Sequence, residues 1–331
     1  MRVFLTGGTG LVGSHVARRL RERGHDVVAL VRPGREAPEL GRLGVVRVEG
    51  DVCDAVERLS PLMAGCDAVV HAAAELFARD AGRFGRVNVE GTERVLRAAG
   101  AAGVRRVLHV SSIAVYGQQE GRVPLGEEAW REGRISRGAH YARSKRAAEE
   151  AAWRLHDAGL VRLTVVRPGV VYGEGDRWFM PRLAAVLRLP VVPLPDGGRR
   201  RLPLVYAGNL ADGIVSAVER DEAAGRAYNL SADHPVRARE LVELFGRALG
   251  RSPRCVSIPP SFLRLAAVAG DAAARLLPGR VGPGLRRAVG RLLTDDPYDT
   301  TRARRELGWH GRVGLEEAVA RTAGWYRSRH G

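Results

Sequence analysis

The sequence predicts an α/β fold: a doubly wound parallel sheet joined to a smaller, mostly helical C-terminal lobe. Short runs of β-branched and other apolar residues alternate with helical stretches over the first half of the chain, which is typical of parallel sheets with crossover helices. The 331 residues are 45% hydrophobic, which is sufficient for one large α/β unit or for two domains with a buried core.

The first predicted elements are a strand, a glycine-rich turn and a helix. Residues 2–6 read RVFLT and predict a short buried strand, residues 7–13 read GGTGLVG, and apolar residues follow at helical spacing as far as Arg23. Glycines permit a tight turn that lets backbone N–H groups approach a pyrophosphate, and a helix N-terminus adds a positive dipole end. This order of elements therefore indicates a dinucleotide-binding site.

The second predicted strand covers residues 27–31 and ends at Arg32. In NAD sites an acidic side chain near this point binds the ribose hydroxyls, whereas an arginine can pair with the 2′-phosphate of NADP. Arg32 therefore favours NADP over NAD. The alternative is that Arg32 is one more surface arginine among many.

Further strands are predicted at residues 45–48, 67–71 and 106–111, with a helix over 87–99. The carboxyl ends of parallel strands meet at one edge of a sheet, and ligands bind there. Asp51, His71 and the pair Ser111-Ser112 all follow or end predicted strands, so they are expected at the same edge as the glycine turn.

The chain contains 53 lysines and arginines, of which Lys145 is the only lysine. Lys145 follows Tyr141 by four residues, so both side chains fall on one face of a helix. A cation within about 4–6 Å stabilises a phenolate and lowers the pKa of the phenol. The spacing suggests an acid/base pair, with chance placement as the alternative.

Composition restricts the kinds of binding partner and the cellular compartment that can be expected. The net charge is +16, but the arginines are spread along the chain and aromatic residues make up only 5%, which favours a solvated surface over nucleic-acid binding. Cys53, Cys66 and Cys255 lack metal-binding spacing, so no metal site is expected. Reduced thiols and the lack of a secretory segment predict a cytoplasmic protein.

Together the motifs resemble those of the extended short-chain dehydrogenases/reductases of the NAD-dependent epimerase/dehydratase family. The matching segments are Thr6-Gly7-x-x-Gly10-x-x-Gly13, Gly50-Asp51-Val52, His71-Ala72-Ala73-Ala74, Asn88-x-x-Gly91-Thr92, Ser111-Ser112-x-x-x-Tyr116-Gly117, Tyr141-x-x-x-Lys145 and Arg167-Pro168-Gly169-x-x-Tyr172-Gly173. The resemblance implies a Rossmann fold, NADP or NAD as cofactor and a small-molecule substrate.

The resemblance also implies roles for single residues. Ser112, with Ser111 as its rival, would hold the substrate oxygen, and Tyr141 would be the acid/base. Lys145 would bind the nicotinamide ribose and lower the Tyr141 pKa, while Asn88 would support the central helix and its proton-relay water. The predicted cofactor-binding set is Gly7, Thr9, Gly10, Leu11, Val12, Gly13, Arg32, Asp51, Val52, Ala72, Ala73, Ala74, Ser111, Tyr141, Lys145, Pro168 and Val170.

Departures from the family pattern bear on the reaction. No acidic pair follows Ser112, which argues against a dehydratase. Val170 stands where nucleotide-sugar epimerases carry a substrate-binding Asn, and the segment 202–209 lacks an in-register arginine. Residues 173–183 and 298–309 instead fit the 3β-hydroxysteroid dehydrogenase-like and dihydroflavonol-reductase-like branch.

The predicted function is NAD(P)-dependent interconversion of a secondary alcohol and a ketone on a fairly apolar small molecule. The first alternative is a nucleotide-sugar 4-epimerase that keeps NAD tightly bound. The second is a non-enzymatic nucleotide-sensing binder, against which the set Ser112, Tyr141 and Lys145 argues, because a pure binder needs no acid/base. The sequence does not name the substrate.

Residues 1–173 are predicted to form most of the nucleotide domain, and 174–331 a substrate lobe. The chain is expected to return to the nucleotide domain near 204–218 and near 299. Within the lobe, residues 189–195 predict a loop and 260–293 an amphipathic cap, for which contact with a membrane surface is the less favoured alternative. The resemblance also allows a homodimer through the helices near Asn88 and Tyr141.

Overall fold

The computed structural model describes residues 1–78, 80–118, 124–276 and 296–330. The chain forms two compact units. Unit 1 comprises Met1–Val171, Val205–Asp233 and Tyr298–Arg312, and unit 2 comprises Tyr172–Leu204, His234–Pro297 and Val313–Gly331. The chain therefore leaves unit 1 and returns to it twice.

A parallel sheet forms the centre of unit 1. Its strands are β1 (Arg2–Thr6), β2 (Asp26–Val31), β3 (Val46–Glu49), β4 (Ala68–His71), β5 (Arg106–Val110), β6 (Arg162–Pro168) and β10 (Arg226–Leu230). Within the described residues these seven strands lie in the order β10-β6-β5-β4-β1-β2-β3 and pair in parallel throughout. The order reverses between β1 and β4, so the predicted doubly wound parallel α/β fold is confirmed.

Helices cover both faces of this sheet. They are α1 (Leu11–Glu22), α2 (Pro38–Arg42), α3 (Val56–Leu59), α4 (Ala81–Phe84), α5 (Gly91–Ala101), α6 (His140–Asp157), α8 (Ala207–Glu219) and α11 (Thr301–Leu307). Two short strands, β7 (Val170–Tyr172) and β9 (Leu204–Tyr206), occur where the chain passes from one unit to the other.

The apolar residues of the strands divide into two layers. Val3 and Leu5 pack in one cluster with residues of α1 and α8, whereas Phe4 packs in the other with residues of α5 and α6. Successive side chains of a strand point to opposite faces, so a strand buried on both faces must be apolar at nearly every position. This explains why the central strands are continuous apolar runs.

Unit 2 contains α7 (Phe179–Val186), β8 (Val192–Pro195), α9 (Ala238–Ala248), β11 (Cys255–Ile258), α10 (Pro260–Leu276) and α12 (Leu315–His330). The expectation of a loop over 189–195 is wrong for 192–195, because these residues pair in parallel with β11, far along the chain. The aromatic rings of Tyr172, Phe179 and Phe245 pack together, with centroids 5.9–6.3 Å apart.

The predicted cap at 260–293 is helical as far as Leu276, and residues 277–293 lie outside the described residues. Of the helices that the structure describes, none combines the length and apolar composition needed to cross a bilayer.

Candidate active site

The glycine turn between β1 and α1 leaves no room for a side chain at Gly7 or Gly13. Gly7 has φ +75°, and a Cβ atom there would lie 2.6 Å from the backbone nitrogen of Ala73. A Cβ on Gly13 would lie 2.1 Å from the carbonyl oxygen of Gly7. The N–H of Gly10 bonds this same oxygen at 2.9 Å, which closes the turn. Only glycine fits at position 13, because any side chain there would collide with the backbone of the turn.

The start of α1 fits an anion such as a pyrophosphate. Gly10 is the N-cap and provides no side-chain cap, and no acidic residue lies in the first turn. The first N–H groups of a helix have no partner within the helix, and they carry the positive end of its dipole. Together with the close backbone turn, the stretch from Thr9 to Gly13, including Leu11 and Val12, can cradle a dinucleotide phosphate.

Polar side chains connect the end of β1 to the end of β4 beneath this turn. His71 is fully buried, with its Nδ1 2.7 Å from Thr6 Oγ1 and its Nε2 3.0 Å from Thr92 Oγ1. The Thr92 hydroxyl donates to the carbonyl of Asn88, so it must accept from His71 Nε2–H. Burial lowers the pKa of His71 to about 3, so the ring is neutral at pH 7 and carries its proton on Nε2.

Asn88 continues this network toward the start of α6. It lies in a π-helical segment, Gly85–Glu90, that precedes α5. Its side chain exchanges two hydrogen bonds with the backbone of Glu75, at 2.7 and 3.0 Å, and donates to Ser144 Oγ at 2.9 Å. Ser144 in turn donates to the carbonyl of Tyr141. Asn88 thus ties the segment after β4 to the first turn of α6.

Ser112 and Tyr141 converge at the end of β5. Ser112 Oγ accepts from the N–H of Ala114 at 3.1 Å, which holds the short helical turn that follows it. Burial raises the pKa of Tyr141, and a hydrogen bond with Ser112 acts in the opposite direction. The net direction is opposite to the lowering that the resemblance implies for Tyr141.

Lys145 lies one helical turn beyond Tyr141 and is only 2% exposed. Its Nζ donates to the carbonyl of Val110 at 2.7 Å, at the end of β5. Burial lowers the pKa of the ammonium to about 8, and the charge of Glu149 acts in the opposite direction. In this structure the ammonium is bonded to the backbone at the end of β5.

The other predicted cofactor residues lie at or just after strand ends on this same edge of the sheet. They are Arg32 after β2, Asp51 and Val52 after β3, Ala72, Ala73 and Ala74 after β4, Ser111 after β5, Pro168 at the end of β6, and Val170 two residues after β6. Arg32 is exposed, whereas Asp51 and the three alanines are partly buried. Among the described residues no cluster of His, Cys, Asp or Glu could hold a metal ion.

A buried ion pair beneath the site was not anticipated from the sequence. Glu149 and Arg167 are 0% and 1% exposed, and Arg167 Nη2 lies 2.6 Å from Glu149 Oε1. The Ser111 hydroxyl donates to Glu149 Oε2 at 2.5 Å, so this predicted cofactor residue points its side chain into the pair. Glu149 follows Lys145 by four residues on the buried face of α6, and that spacing was the available signal.

Known proteins are similar to this chain over most of its length. Residues 3–231 match the model of the NAD dependent epimerase/dehydratase family. The chain is 35% identical over 322 residues to the 4-hydroxy-2-methyl-3-oxo-4-farnesyl-3,4-dihydroquinoline-1-oxide ketoreductase of Stigmatella aurantiaca, covering 96% of this chain and 95% of that protein. It is 32% identical over 342 residues to the 2-alkyl-3-oxoalkanoate reductase of Stenotrophomonas maltophilia, covering 97% and 98%.

Among solved structures, the crystal structure of gox2253 superposes with a TM-score of 0.81 at 27% sequence identity, covering 99% of this chain and 98% of that one. The family match extends from β1 to the residue after β10, and it includes the glycine turn, Asn88, Ser112, Tyr141 and Lys145. The chain is an NAD(P)-dependent oxidoreductase, and it belongs to the NAD dependent epimerase/dehydratase family.

Proposed function

We propose that this enzyme reduces a ketone to a secondary alcohol on a fairly apolar small molecule, with NADPH as its preferred cofactor. The observation that carries the proposal is the convergence of the Ser112 hydroxyl and the Tyr141 phenol, with Lys145 one turn further along the same helix. Two hydroxyl donors at one point can bind a carbonyl oxygen and protonate it.

The roles follow from the state of each side chain. The nicotinamide cofactor, when bound, supplies the hydride. Ser112 donates a hydrogen bond to the carbonyl oxygen and stabilises the negative charge that develops on it. Tyr141 donates the proton. Because its pKa is raised, the phenol is protonated at neutral pH, which suits a proton donor in the direction of reduction.

The preference for NADPH is supported by Arg32. This arginine is exposed and directly follows β2, where NAD-binding sites carry an acidic side chain. A planar guanidinium can bind the 2′-phosphate through two parallel hydrogen bonds.

An apolar substrate is supported by the segment after β4. Leu76 and Phe77 are 49% and 60% exposed, although they directly follow Glu75, which Asn88 anchors to the start of α6. Exposed apolar side chains fixed beside a catalytic helix suit contact with an apolar ligand. The names of the two relatives agree with an apolar substrate, because the compound named for one contains a farnesyl group and the compound named for the other contains a 2-alkyl chain.

The alternative is a nucleotide-sugar 4-epimerase, a reaction that uses the same Tyr and Lys and that the family also includes. Against it stands Val170, whose aliphatic side chain cannot form the hydrogen bond that an Asn would make with the sugar. An epimerase would retain NAD through purification and would not consume free cofactor.

The test is the oxidation of added NADPH with a series of 2-alkyl-3-oxoalkanoates of increasing chain length. We expect turnover that improves with chain length. Retained NAD without consumption of free cofactor would contradict the proposal and favour the epimerase.

Tyr141→Phe tests the mechanism. We expect it to reduce kcat by about 10²–10⁴-fold, because the proton donor is lost, while the dissociation constant for NADPH stays unchanged. Lys145→Arg keeps the charge but not the slender ammonium, so it should also lose most activity. Normal rates in Tyr141→Phe would refute the assigned proton transfer.

A further inference from the structure

We propose that Glu149, held in place by Arg167 and Ser111, is a positioning residue that keeps Lys145 charged beneath the catalytic site. The inference rests on the proposed function, in which Lys145 would bind the nicotinamide ribose as a cation, and it identifies the group that maintains this charge. Glu149 does not touch the reacting atoms, so its effect must pass through Lys145 and through Ser111, the residue before Ser112.

The geometry of Glu149 leaves its carboxylate with a fixed orientation. Arg167 binds it through Nε at 3.1 and 3.2 Å and through Nη2 at 2.6 Å. Ser111 donates to Oε2 at 2.5 Å, and Trp153 Nε1 donates to Oε1 at 3.3 Å. These donors hold the carboxylate in one orientation in a fully buried position.

Arg167 is itself fixed from the far side. Its Nη1 donates to Tyr116 Oη at 2.9 Å and to the carbonyl of Glu127 at 2.6 Å, and its guanidinium lies over the rings of Tyr116 and Trp130. The arginine is part of β6 and Glu149 part of α6, so the pair joins the sheet to the catalytic helix.

The other groups around Lys145 are neutral, so the charge of Glu149 has a large effect on the protonation of Lys145. From the sheet, His71 of β4 and His109 of β5 are buried neutral, and each lies close enough for Lys145 to disfavour its protonation. From α5 and the π-helical segment come the neutral groups Thr92 and Asn88. On α6 itself, Tyr141 is a neutral phenol at pH 7.

Among these described neighbours the negative charge that acts on Lys145 is Glu149, which lies four residues further along the buried face of the same helix. Removal of Glu149 would therefore do two things. It would take away the attraction to the ammonium, and it would leave the Arg167 guanidinium as an uncompensated buried cation nearby.

The chain itself provides the experiment, because Lys145 is its only lysine. Protein labelled with [ε-¹³C]lysine gives one lysine signal, whose chemical shift reports the protonation of Lys145 directly between about pH 6 and about pH 10. The wild-type midpoint is expected at about 8. Glu149→Gln should lower it by about one pH unit, a tenfold change in the acid dissociation constant.

The matched control is Glu150→Gln, which removes a carboxylate from the next position of α6, where it is partly exposed. It should leave the midpoint as in the wild type. Equal midpoints in Glu149→Gln, Glu150→Gln and the wild type would overturn the proposal.

A second variant keeps the test decisive if Glu149→Gln does not fold. Glu149→Asp keeps the negative charge at this position, so the Lys145 midpoint should stay near the wild-type value. A fall in folded Glu149→Asp as large as that expected for Glu149→Gln would overturn the proposal. The signal is independent of turnover, so a failure to reduce ketones would contradict the proposed function and leave this measurement intact.

Discussion

Lys145 is a buried cation whose nearest titratable neighbours on the sheet are held neutral. The rings of His71 and His109 stack with centroids 5.4 Å apart, at paired positions of adjacent strands. Burial lowers the pKa of both, to about 3 for His71 and well below the usual range for His109. The two buried histidines therefore add no positive charge beside Lys145 at neutral pH.

His109 should make the protein sensitive to acid. Among the described residues neither of its ring nitrogens has a hydrogen-bond partner. Its folded-state pKa lies below the unfolded value, so the unfolded state binds the proton first and stability falls as the pH drops below about 6.5. His109→Leu should recover about 2 kcal/mol of the loss between pH 7.5 and pH 5, measured as the free energy of unfolding in urea.

The control for this change is His310→Gln, since His310 is exposed. It should leave the pH dependence as in the wild type. An identical loss of stability on acidification in His109→Leu would show that other groups are responsible.

Arg32 should decide the choice of cofactor. Arg32→Ala is expected to weaken NADPH binding by about tenfold or more, because a charge-assisted bidentate contact is lost, and to leave NADH binding unchanged. The measurement is the dissociation constant of each cofactor, followed by the quenching of protein fluorescence. Arg35→Ala, an exposed arginine in the same loop, serves as the control. Equal weakening of both cofactors would remove Arg32 from the 2′-phosphate site.

At the scale of single elements, backbone sterics dominate the turn from β1 to α1. Gly13→Ala would place a methyl group 2.1 Å from a carbonyl oxygen, so the turn must move. We expect at least about tenfold weaker cofactor binding and a loss of about 1–3 kcal/mol of stability. Both can be measured on one sample, by ligand titration and by urea unfolding.

Gly41→Ala is the matched control for this turn. Gly41 lies in α2, and a Cβ there meets no atom within 4 Å. Alanine should stabilise this helix by about 0.5–1 kcal/mol, an effect of opposite sign. A harmless Gly13→Ala would mean that the phosphate cradle is looser than the structure describes.

Contacts of the π-helical segment and of α6 together fix the position of Tyr141. A π segment inserts an extra residue into a helix and often marks a functional site. Here it turns Asn88 inward, where its side chain bonds both Glu75 and Ser144. The start of α6 is also held by Arg146, which donates to the carbonyls of Val115 and Gly133. The catalytic Tyr141 is thus positioned from both sides.

For the chain as a whole, the net charge of +16 is the dominant electrostatic property. Exposed ion pairs such as Arg321 with Glu317 contribute little each, and they cannot balance the excess of positive charge. Raising the ionic strength from about 0.01 M to about 0.15 M shortens the Debye length from about 30 Å to about 8 Å, so repulsion is screened. We therefore expect Tm to rise by a few degrees.

Sodium and potassium chloride should raise Tm alike, because screening depends on ionic strength and not on the identity of the cation. Differential scanning calorimetry at fixed pH provides the measurement. A falling Tm would show that ion pairs outweigh the repulsion between arginines.

The local pattern of the chain determined the parallel sheet, the glycine turn and the helical spacing of Tyr141 and Lys145. Each depends on interactions between residues close in sequence: the steric freedom of glycine, the two-residue period of a strand and the four-residue spacing on a helix. Apolar runs such as Val27–Val31 were recognisable as buried strands for the same reason.

Contacts between distant segments decided the rest. Residues 192–195 become a strand only because Cys255–Ile258 pairs with them, and nothing local signals that partner. The pairing of Glu149 with Arg167, the stacking of His71 on His109 and the bond from Lys145 to Val110 likewise join separate elements. Burial and pairing set the pKa values of these groups, so the protonation state of the site is a property of the folded chain.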